Sequence, residues 1–296
     1  MNQQFKITWL IVLLVLCVAS ISIAQFRRSR GEGYRTAREA EQGSAVLTPE
    51  WKNDPRFKKD VFTLVRIRYS SDYSGRYGGR YRGWGGGWAT DFPDSDLNLS
   101  YRLQQMTSMK VDPDCRVIDV TDKELFDHPF IYIVEPGALV FDEDEAKALR
   151  QYLLNGGFLM VDDFWGERQW ANFYRAIKLV FPDREPRELE MEHAIFHSVF
   201  DLKLTKNQMQ VPNYRTGEWS QQSHITWEYH DGEECREVHF KGIFDDKDRM
   251  MVMICHNTDN GDGWEREGEY EYYFREFSEK KAYPLGINIL FYAMTH

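Results

Sequence analysis

The chain alternates between apolar, β-branched runs and stretches whose apolar residues recur every three or four positions. Strand-like runs lie near residues 62–69, 116–120, 130–135, 157–162 and 250–255. The first run places apolar side chains on one alternating face, and the third is almost entirely apolar, as in the middle of a sheet. The pattern therefore predicts five strands of one mostly parallel sheet.

Helical spacing separates these strands. Apolar residues recur at i, i+4 and i+7 in residues 94–106, and an acidic run opens a second helix at residues 142–145. That helix ends at the glycine pair 156–157, and further helices are predicted from Glu167 and over residues 285–294. Alternating strands and helices predict an α/β fold with helices on both faces of the sheet.

Two segments interrupt this rhythm. Residues 185–247 contain strand-like pieces such as 225–229 and 237–240, which we interpret as a β-rich insertion. Residues 74–88 are rich in Gly, Arg, Tyr and Trp and predict a long mobile loop. Its Arg and aromatic side chains can stack on bases or sugars, but a low-complexity insertion at a loop tip is the favoured interpretation. No Lys-Ser/Thr pair follows the glycines, which excludes a phosphate loop.

The N-terminal residues 7–24 form an uncharged apolar run. Ser22-Ile23-Ala24 has the small-x-small form of a signal-peptidase site, while 18 residues also approach the length of a membrane span. Residues 1–24 are therefore predicted to be a signal peptide or a membrane anchor. Residues 25–60 are polar and aperiodic and predict a tether. The α/β domain over residues 61–296 is then expected outside the cytoplasm, periplasmic or anchored to the membrane.

Charge changes the picture of the partners. The 296 residues carry a net charge of −10, but residues 1–88 have a charge of +8 and residues 89–296 a charge of −18. A domain with this negative charge repels the phosphate backbone of DNA, which excludes DNA as its partner.

Cys17, Cys115, Cys235 and Cys255 lack C-x-x-C spacing, which argues against a zinc ribbon or a thioredoxin-type site. Because Cys17 lies in the apolar N-terminal run, three cysteines remain for the domain. One disulfide with a free thiol and three buried thiols both remain open.

Several motifs carry a family resemblance. Residues 152–163, which join a helix to a strand through Gly156-Gly157, resemble the corresponding unit of class I glutamine-amidotransferase-like domains. Residues 62–295 as a whole resemble the bacterial domain-of-unknown-function 4159 family. The matching motifs are Asp94-x-Asp96-x-Asn98-Leu99, Gly156-Gly157-Phe158-Leu159, His193-Ala194-Ile195-Phe196-His197-Ser198 and Leu285-Gly286-Ile287-Asn288-Ile289. The resemblance implies a flavodoxin-like, doubly wound sheet and brings no established activity.

The chain departs from true amidotransferases at the nucleophile. Those enzymes carry a cysteine on a glycine-flanked turn after the strand that follows the glycine pair. Here the turn reads Asp162-Asp163-Phe164-Trp165-Gly166, and Cys255-His256 ends a different strand without flanking glycines. Since the thiolate is the nucleophile of that reaction, glutaminase activity is not expected.

Candidate site residues lie where strands end. Asp162 and Asp163 follow one apolar strand, and His256 and Asp259 follow another, so parallel strands would bring them to one edge of the sheet. Carboxylates there can bind a divalent cation or share a proton, although an aspartate at such a position can also cap a helix. Successive strand residues face opposite ways, so only one of Asp162 and Asp163 is expected to face His256.

His193 and His197 are candidate binding residues, because a spacing of four places two side chains on one helix face. The surrounding segment is apolar and lacks the Glu that a metalloprotease helix carries beside its first His. Structural packing is the favoured interpretation.

Two functions remain in competition. The first is an exported domain that binds a small ligand or an envelope protein. The second is an exported, metal-assisted hydrolase that uses Asp162, Asp163 and His256, with Asp259 or one of the two histidines as a further member. The sequence identifies no cofactor. The two functions differ in whether these side chains converge on one cavity.

Overall fold

The structure, a computed structural model, describes residues 34–41, 47–71 and 87–296. The signal peptide or anchor predicted over residues 1–24 lies outside the described residues. So does the loop predicted over residues 74–88, except for its last two positions. The folded unit that contains the domain spans Arg35–His296.

The described chain contains short strands. They are β1 Val61–Phe62, β2 Val65–Arg68, β3 Ser70–Ser71, β4 Lys110–Val111, β5 Arg116–Asp119, β6 Phe130–Val134, β7 Leu139–Val140, β8 Phe158–Asp162, β9 Arg187–Glu188, β10 His239–Phe244 and β11 Met250–His256.

One seven-stranded sheet organises the domain, in the order β5-β2-β6-β8-β11-β10-β9. The first five strands in this order are mutually parallel, and β10 and β9 add an antiparallel edge. The five predicted strands therefore do form one mostly parallel sheet, and the α/β class is confirmed. The predicted strand over residues 62–69 is divided, because β1 pairs with β4 in a separate two-stranded sheet.

Helices connect the strands. They are α1 Ala37–Ala40, α2 Asp94–Met106, α3 Glu143–Leu154, α4 Gly166–Val180, α5 Tyr214–Ser223, α6 Asn260–Glu265, α7 Glu271–Tyr273 and α8 Tyr283–Thr295, with a π-helical segment Phe274–Ala282 joining the last two. None of the helices in the described ranges combines the length and apolar character that a bilayer span requires.

Two apolar cores lie on opposite faces of the sheet. Tyr132 and Met160 contribute to the core that contains α2 and α8, which we call the α2–α8 face. Ile133 and Val161 contribute to the core that contains α3 and α4, the α3–α4 face. Because neighbouring strand residues alternate between faces, a strand buried on both sides is apolar throughout.

Helix α3 begins where its acidic run predicts. Asp142 caps the helix by accepting hydrogen bonds from the backbone N–H groups of Asp144 and Glu145, both at 2.8 Å. The Glu145 carboxylate in turn accepts from the Asp142 N–H at 2.9 Å, which completes a capping box. Local side chains thus fix this boundary without tertiary contacts.

The described part of the predicted tether, residues 25–60, packs against the domain. Thr48 Oγ1 donates a hydrogen bond to Asn98 Oδ1 at 2.8 Å, and Trp51 Nε1 donates to the carbonyl of Val111 at 2.7 Å. These contacts come from single side chains rather than from a hydropathy period. This part of the chain therefore packs on the domain instead of forming a free tether, and the hydropathy pattern does not predict such contacts.

Residues 185–247 contain less strand than predicted. The strands of this described segment, β9 and β10, extend the main sheet and do not form a separate lobe. Residues 225–229 are not a strand. The Glu228 carboxylate is buried and accepts a hydrogen bond from the Nδ2 of Asn213, the cap residue of α5, which fixes this segment against a helix.

Candidate functional site

The parallel strands β6, β8 and β11 end side by side at one edge of the sheet. Val134 pairs with Asp162, and Val161 pairs with Ile254. Residues that follow these pairs therefore meet at the carboxyl edge, where open α/β sheets place ligands. The chain supplies mostly carboxylates to this position.

Asp162 is wholly buried and organises the neighbouring loop. Its carboxylate accepts hydrogen bonds from the backbone N–H of Asn260 (2.8 Å), the Nδ2 of Asn260 (2.8 Å) and the N–H of Gly261 (3.1 Å). Tyr132 Oη adds a fourth donor at 3.3 Å. Burial raises the pKa of Asp162 to about 7, against the effect of these donors. Asp162 thus positions the start of α6, the helix after β11, and so serves a structural role.

Asp163 leaves the strand in the left-handed region, with φ +57°. Its Oδ1 accepts a hydrogen bond from Trp165 Nε1 at 3.0 Å, and its side chain is almost fully buried. Burial, followed by the negative charges of Glu135 and Asp162, raises the pKa of Asp163 well above its usual range.

Asp163 belongs to a group that we call the inner triad, formed by Asp91, Asp163 and Asp259. One carboxylate oxygen from each lies within 4.8 Å of the others. Asp259 Oδ1 also accepts the N–H of Asp262 at 2.7 Å, which caps α6. Burial and then the charge of Asp163 raise the pKa of Asp259. The structure thus brings two of the sequence-predicted residues, Asp163 and Asp259, into one group.

A second group, the outer triad, consists of Asp91, Asp262 and Glu265, whose oxygens meet the same 4.8 Å limit. Asp91 is common to both triads. Arg266 borders the outer triad, with Nε 2.7 Å from Glu265 Oε2 and 3.5 Å from Asp262 Oδ1. Burial, followed by the charges of Asp91 and Asp262, raises the pKa of Glu265 to about 10.

Asp91 carries an unpaired buried oxygen. Its Oδ2 accepts no hydrogen bond from any residue of the described ranges. This oxygen lies against Gly261, where a Cβ would overlap with it and would also lie 3.2 Å from Tyr132 Oη and 3.5 Å from Asp259 Oδ1. Burial and then the charges of Asp262 and Asp163 raise the pKa of Asp91. Glycine at position 261 therefore allows oxygens from three elements to approach each other.

The buried cation Arg66 donates no hydrogen bond to the inner triad. Arg66, at the centre of β2, is fully buried and forms a two-pronged ion pair with Asp96. Its remaining N–H groups donate to the carbonyl oxygens of Trp88 (2.9 Å) and Thr90 (2.8 Å) and to Ser95 Oγ. All of its donors thus have partners outside the triads.

His256 lies on the other face of the sheet from Asp162. Asp162 follows the parity of Met160 on the α2–α8 face, whereas His256 follows Ile254 on the α3–α4 face. The imidazole packs against Phe164, at 4.7 Å between ring centroids, and against Trp170, at 5.3 Å. The expected contact of His256 with Asp162 or Asp163 is therefore not seen, because Asp162 lies on the opposite face and His256 makes no hydrogen bond to Asp163.

The imidazole of His256 is buried among ring side chains. Its Nε2 lies 3.3 Å from the carbonyl oxygen of Gly166, while its Nδ1 has no hydrogen-bond partner in the part of the chain that the structure describes. Burial lowers the pKa of His256 to about 3, so the ring is neutral at physiological pH. A neutral imidazole that makes one hydrogen bond to the backbone and packs among aromatic rings is a packing element.

His193 and His197 are also placed apart from the triads. His193 Nδ1 accepts the N–H of Ile195 at 3.2 Å and so caps a short 3-10 turn. His197 Nδ1 lies 2.7 Å from Asp201 Oδ1, and its Nε2 lies 2.7 Å from the carbonyl of Met191. Both rings form hydrogen bonds within local turns.

The cysteines of the domain are three buried free thiols, which settles the two alternatives left by the sequence. Burial raises the pKa of Cys255 well above its usual range, so its thiolate is disfavoured.

Sequence reasoning missed Asp91, Asp262 and Glu265. Asp91 lies between a glycine-rich stretch and α2, with a left-handed φ of +60°, and no strand pattern points to it. Asp262 and Glu265 lie in a glycine-rich segment after β11, which the strand pattern does not single out. Their i, i+3 spacing on a short helix was the available signal.

A family model described as Domain of unknown function (DUF4159) matches residues 63–294. The matched segment includes the seven-stranded sheet and every residue of the two triads. No curated protein matches the chain.

Proposed function

The chain belongs to the family described as Domain of unknown function (DUF4159), and from the geometry of its sheet edge we propose that it is a divalent-cation-dependent binding domain. The observation that carries this proposal is the inner triad. Its three carboxylates, two of them on buried residues, converge within 4.8 Å, and the buried Oδ2 of Asp91 accepts no hydrogen bond from a described residue.

The oxygen spacing suits a hard cation. Ligand oxygens around Ca²⁺ at about 2.4 Å lie no more than about 4.8 Å apart, and those around Mg²⁺ at about 2.1 Å no more than about 4.2 Å apart. The inner triad meets the first limit as it stands. Three carboxylates leave further coordination positions for water or for oxygens of a bound ligand.

Charge supports the same conclusion. Burying carboxylates together costs free energy unless a proton or a cation joins them, and the raised pKa of Asp91, Asp163 and Asp259 expresses that cost. A divalent cation would replace the protons and lower the electrostatic repulsion at neutral pH.

Binding is favoured over the hydrolase hypothesis. The hydrolase required His256 as a base beside Asp162 or Asp163, but His256 makes no hydrogen bond to either aspartate and packs among aromatic rings. Asp162 is engaged by four donors. The ligand that we propose is therefore a small molecule or a segment of an envelope protein whose oxygen atoms complete the coordination of the cation.

We also propose a flavodoxin-like, doubly wound relationship to glutamine-amidotransferase-like domains. Numbered along the chain, the five parallel strands lie in the order 2-1-3-4-5, which is typical of flavodoxin-like sheets. The apolar run over residues 7–24 supports the further proposal of an exported or membrane-anchored domain. Fractionation of cells that express the full chain tests the location, and recovery in the cytosol would contradict it.

Metal binding is tested on the purified protein. After dialysis against Mg²⁺, Ca²⁺ or Mn²⁺, elemental analysis should find bound cation, and thermal unfolding should shift upward. A cation present at one hundred times its Kd stabilises the fold by about 2.7 kcal/mol.

Asp163→Asn should reduce both signals, whereas Asp144→Asn, at an exposed position of α3, should retain them. Absence of bound metal and of any thermal shift with all three cations would refute the proposal.

A further inference from the structure

We propose that the outer triad of Asp91, Asp262 and Glu265 holds a second divalent cation, so that Asp91 bridges two metal ions. This inference rests on the proposed function, since it presumes a cation in the inner triad.

The shared residue defines the geometry. Asp91 contributes to both triads, and each triad has its oxygens within 4.8 Å of one another. A carboxylate can give one oxygen to each of two cations, and bridged pairs in two-metal sites lie about 3.5–4 Å apart. The unpaired Oδ2 of Asp91 lies at the contact of β6 and α6, close to Tyr132 and Gly261. A buried acceptor without a donor costs free energy, which a cation would recover.

The cation at hand is insufficient for the outer triad. The Arg266 side chain is 27% exposed and approaches from the solvent side. Its single charge is shared among Asp262, Glu265 and Glu269. Asp91 receives no hydrogen bond from this guanidinium, so Arg266 leaves the buried Oδ2 of Asp91 without a partner among the described residues.

Other contacts hold the outer ligands in place. Asp262 Oδ2 accepts the N–H of Tyr214 at 2.6 Å, and the backbone N–H of Asp262 donates to Asp259. The Arg266 guanidinium carbon lies 4.5 Å from the centre of the Tyr214 ring. The Asp262 carboxylate is thus held by the first residue of α5, and the Arg266 guanidinium that pairs with Glu265 packs on the same residue. A site whose ligands are positioned in advance needs little reorganisation to bind.

Mn²⁺ is the probe, because it resembles Mg²⁺ in its ligands and is paramagnetic. The full-length protein is titrated with Mn²⁺, and the bound metal is counted by elemental analysis after buffer exchange. Low-temperature electron paramagnetic resonance then separates isolated Mn²⁺ from magnetically coupled pairs. Wild-type protein should bind two Mn²⁺ ions per chain and show the coupled spectrum.

Two variants assign the ions to their triads. Glu265→Gln, which preserves size and removes charge, should bind one Mn²⁺ with an uncoupled spectrum. Asp91→Asn should weaken both sites, and thermal unfolding without metal verifies that each variant is folded. One uncoupled ion in the wild-type protein, or two ions in Glu265→Gln, would overturn the second site and leave the proposed function intact. No bound Mn²⁺ in the wild-type protein would overturn both.

Discussion

Acidification should destabilise the domain through His256. The imidazole is buried among Phe164, Trp170 and His239, and burial lowers its pKa to about 3. In the unfolded chain its pKa is about 6.5, so below that pH the unfolded state binds a proton that the folded state does not. The free energy of unfolding is therefore unaffected by the protonation of His256 well above pH 6.5, and it falls as the pH is lowered from 6.5 toward 3. Linkage gives a loss of about 2 kcal/mol between pH 7 and pH 5.

Urea unfolding at pH 7 and pH 5 measures this loss. Other groups also titrate, so the test compares the wild-type protein with His256→Phe, which keeps an aromatic ring and cannot take a proton. The loss of unfolding free energy between the two pH values should be about 2 kcal/mol smaller in the variant. His224→Asn, at an exposed left-handed position, is the matched control and should behave as wild type. Equal losses in the wild-type protein and His256→Phe would refute the assignment of a buried neutral imidazole.

Three further predictions concern stability, and each is measured by urea unfolding at pH 7. Asp142→Ala removes the capping box of α3 and should lower the free energy of unfolding by about 1 kcal/mol. No change would show that the cap does not stabilise the fold. Asp96→Ala leaves Arg66 buried without its partner and should cost about 3–5 kcal/mol, whereas Asp119→Ala at a partly exposed ion pair should cost no more than about 1 kcal/mol. Asp162→Ala leaves three N–H donors without an acceptor and should lower the free energy of unfolding by at least about 3 kcal/mol, whereas Asp162→Asn should lower it less. A small loss in Asp162→Ala would contradict the structural role of Asp162.

Local signals explain the parts of the fold that the sequence predicts. Residues 130–134 are apolar because both faces of β6 are covered, and Asp142 with Glu145 forms a cap within four residues of chain. The packing of Trp51 against the Val111 carbonyl joins segments far apart in sequence. No local pattern encodes such a contact, so the extent of the folded unit was not foreseen.

The candidate site was predictable only at the level of the sheet edge. The rule that ligands gather at the carboxyl ends of parallel strands places Asp163 and Asp259 correctly near each other. It cannot identify Asp91, which arrives from a different loop. The rule also does not predict on which face of the sheet His256 lies relative to the aspartates, because that depends on strand register. Asp163, in addition, leaves the strand at a left-handed turn.

The packing of residues 47–62 onto the domain sets a boundary for the smallest stable fragment. The family match begins at residue 63, after strand β1 and after the residues that contact Asn98 and Val111. A chain trimmed to the match would lose the parallel partner of β4 and the donor to the Val111 carbonyl. The segment that the family model matches is thus shorter than the compact unit of this chain, which spans Arg35–His296.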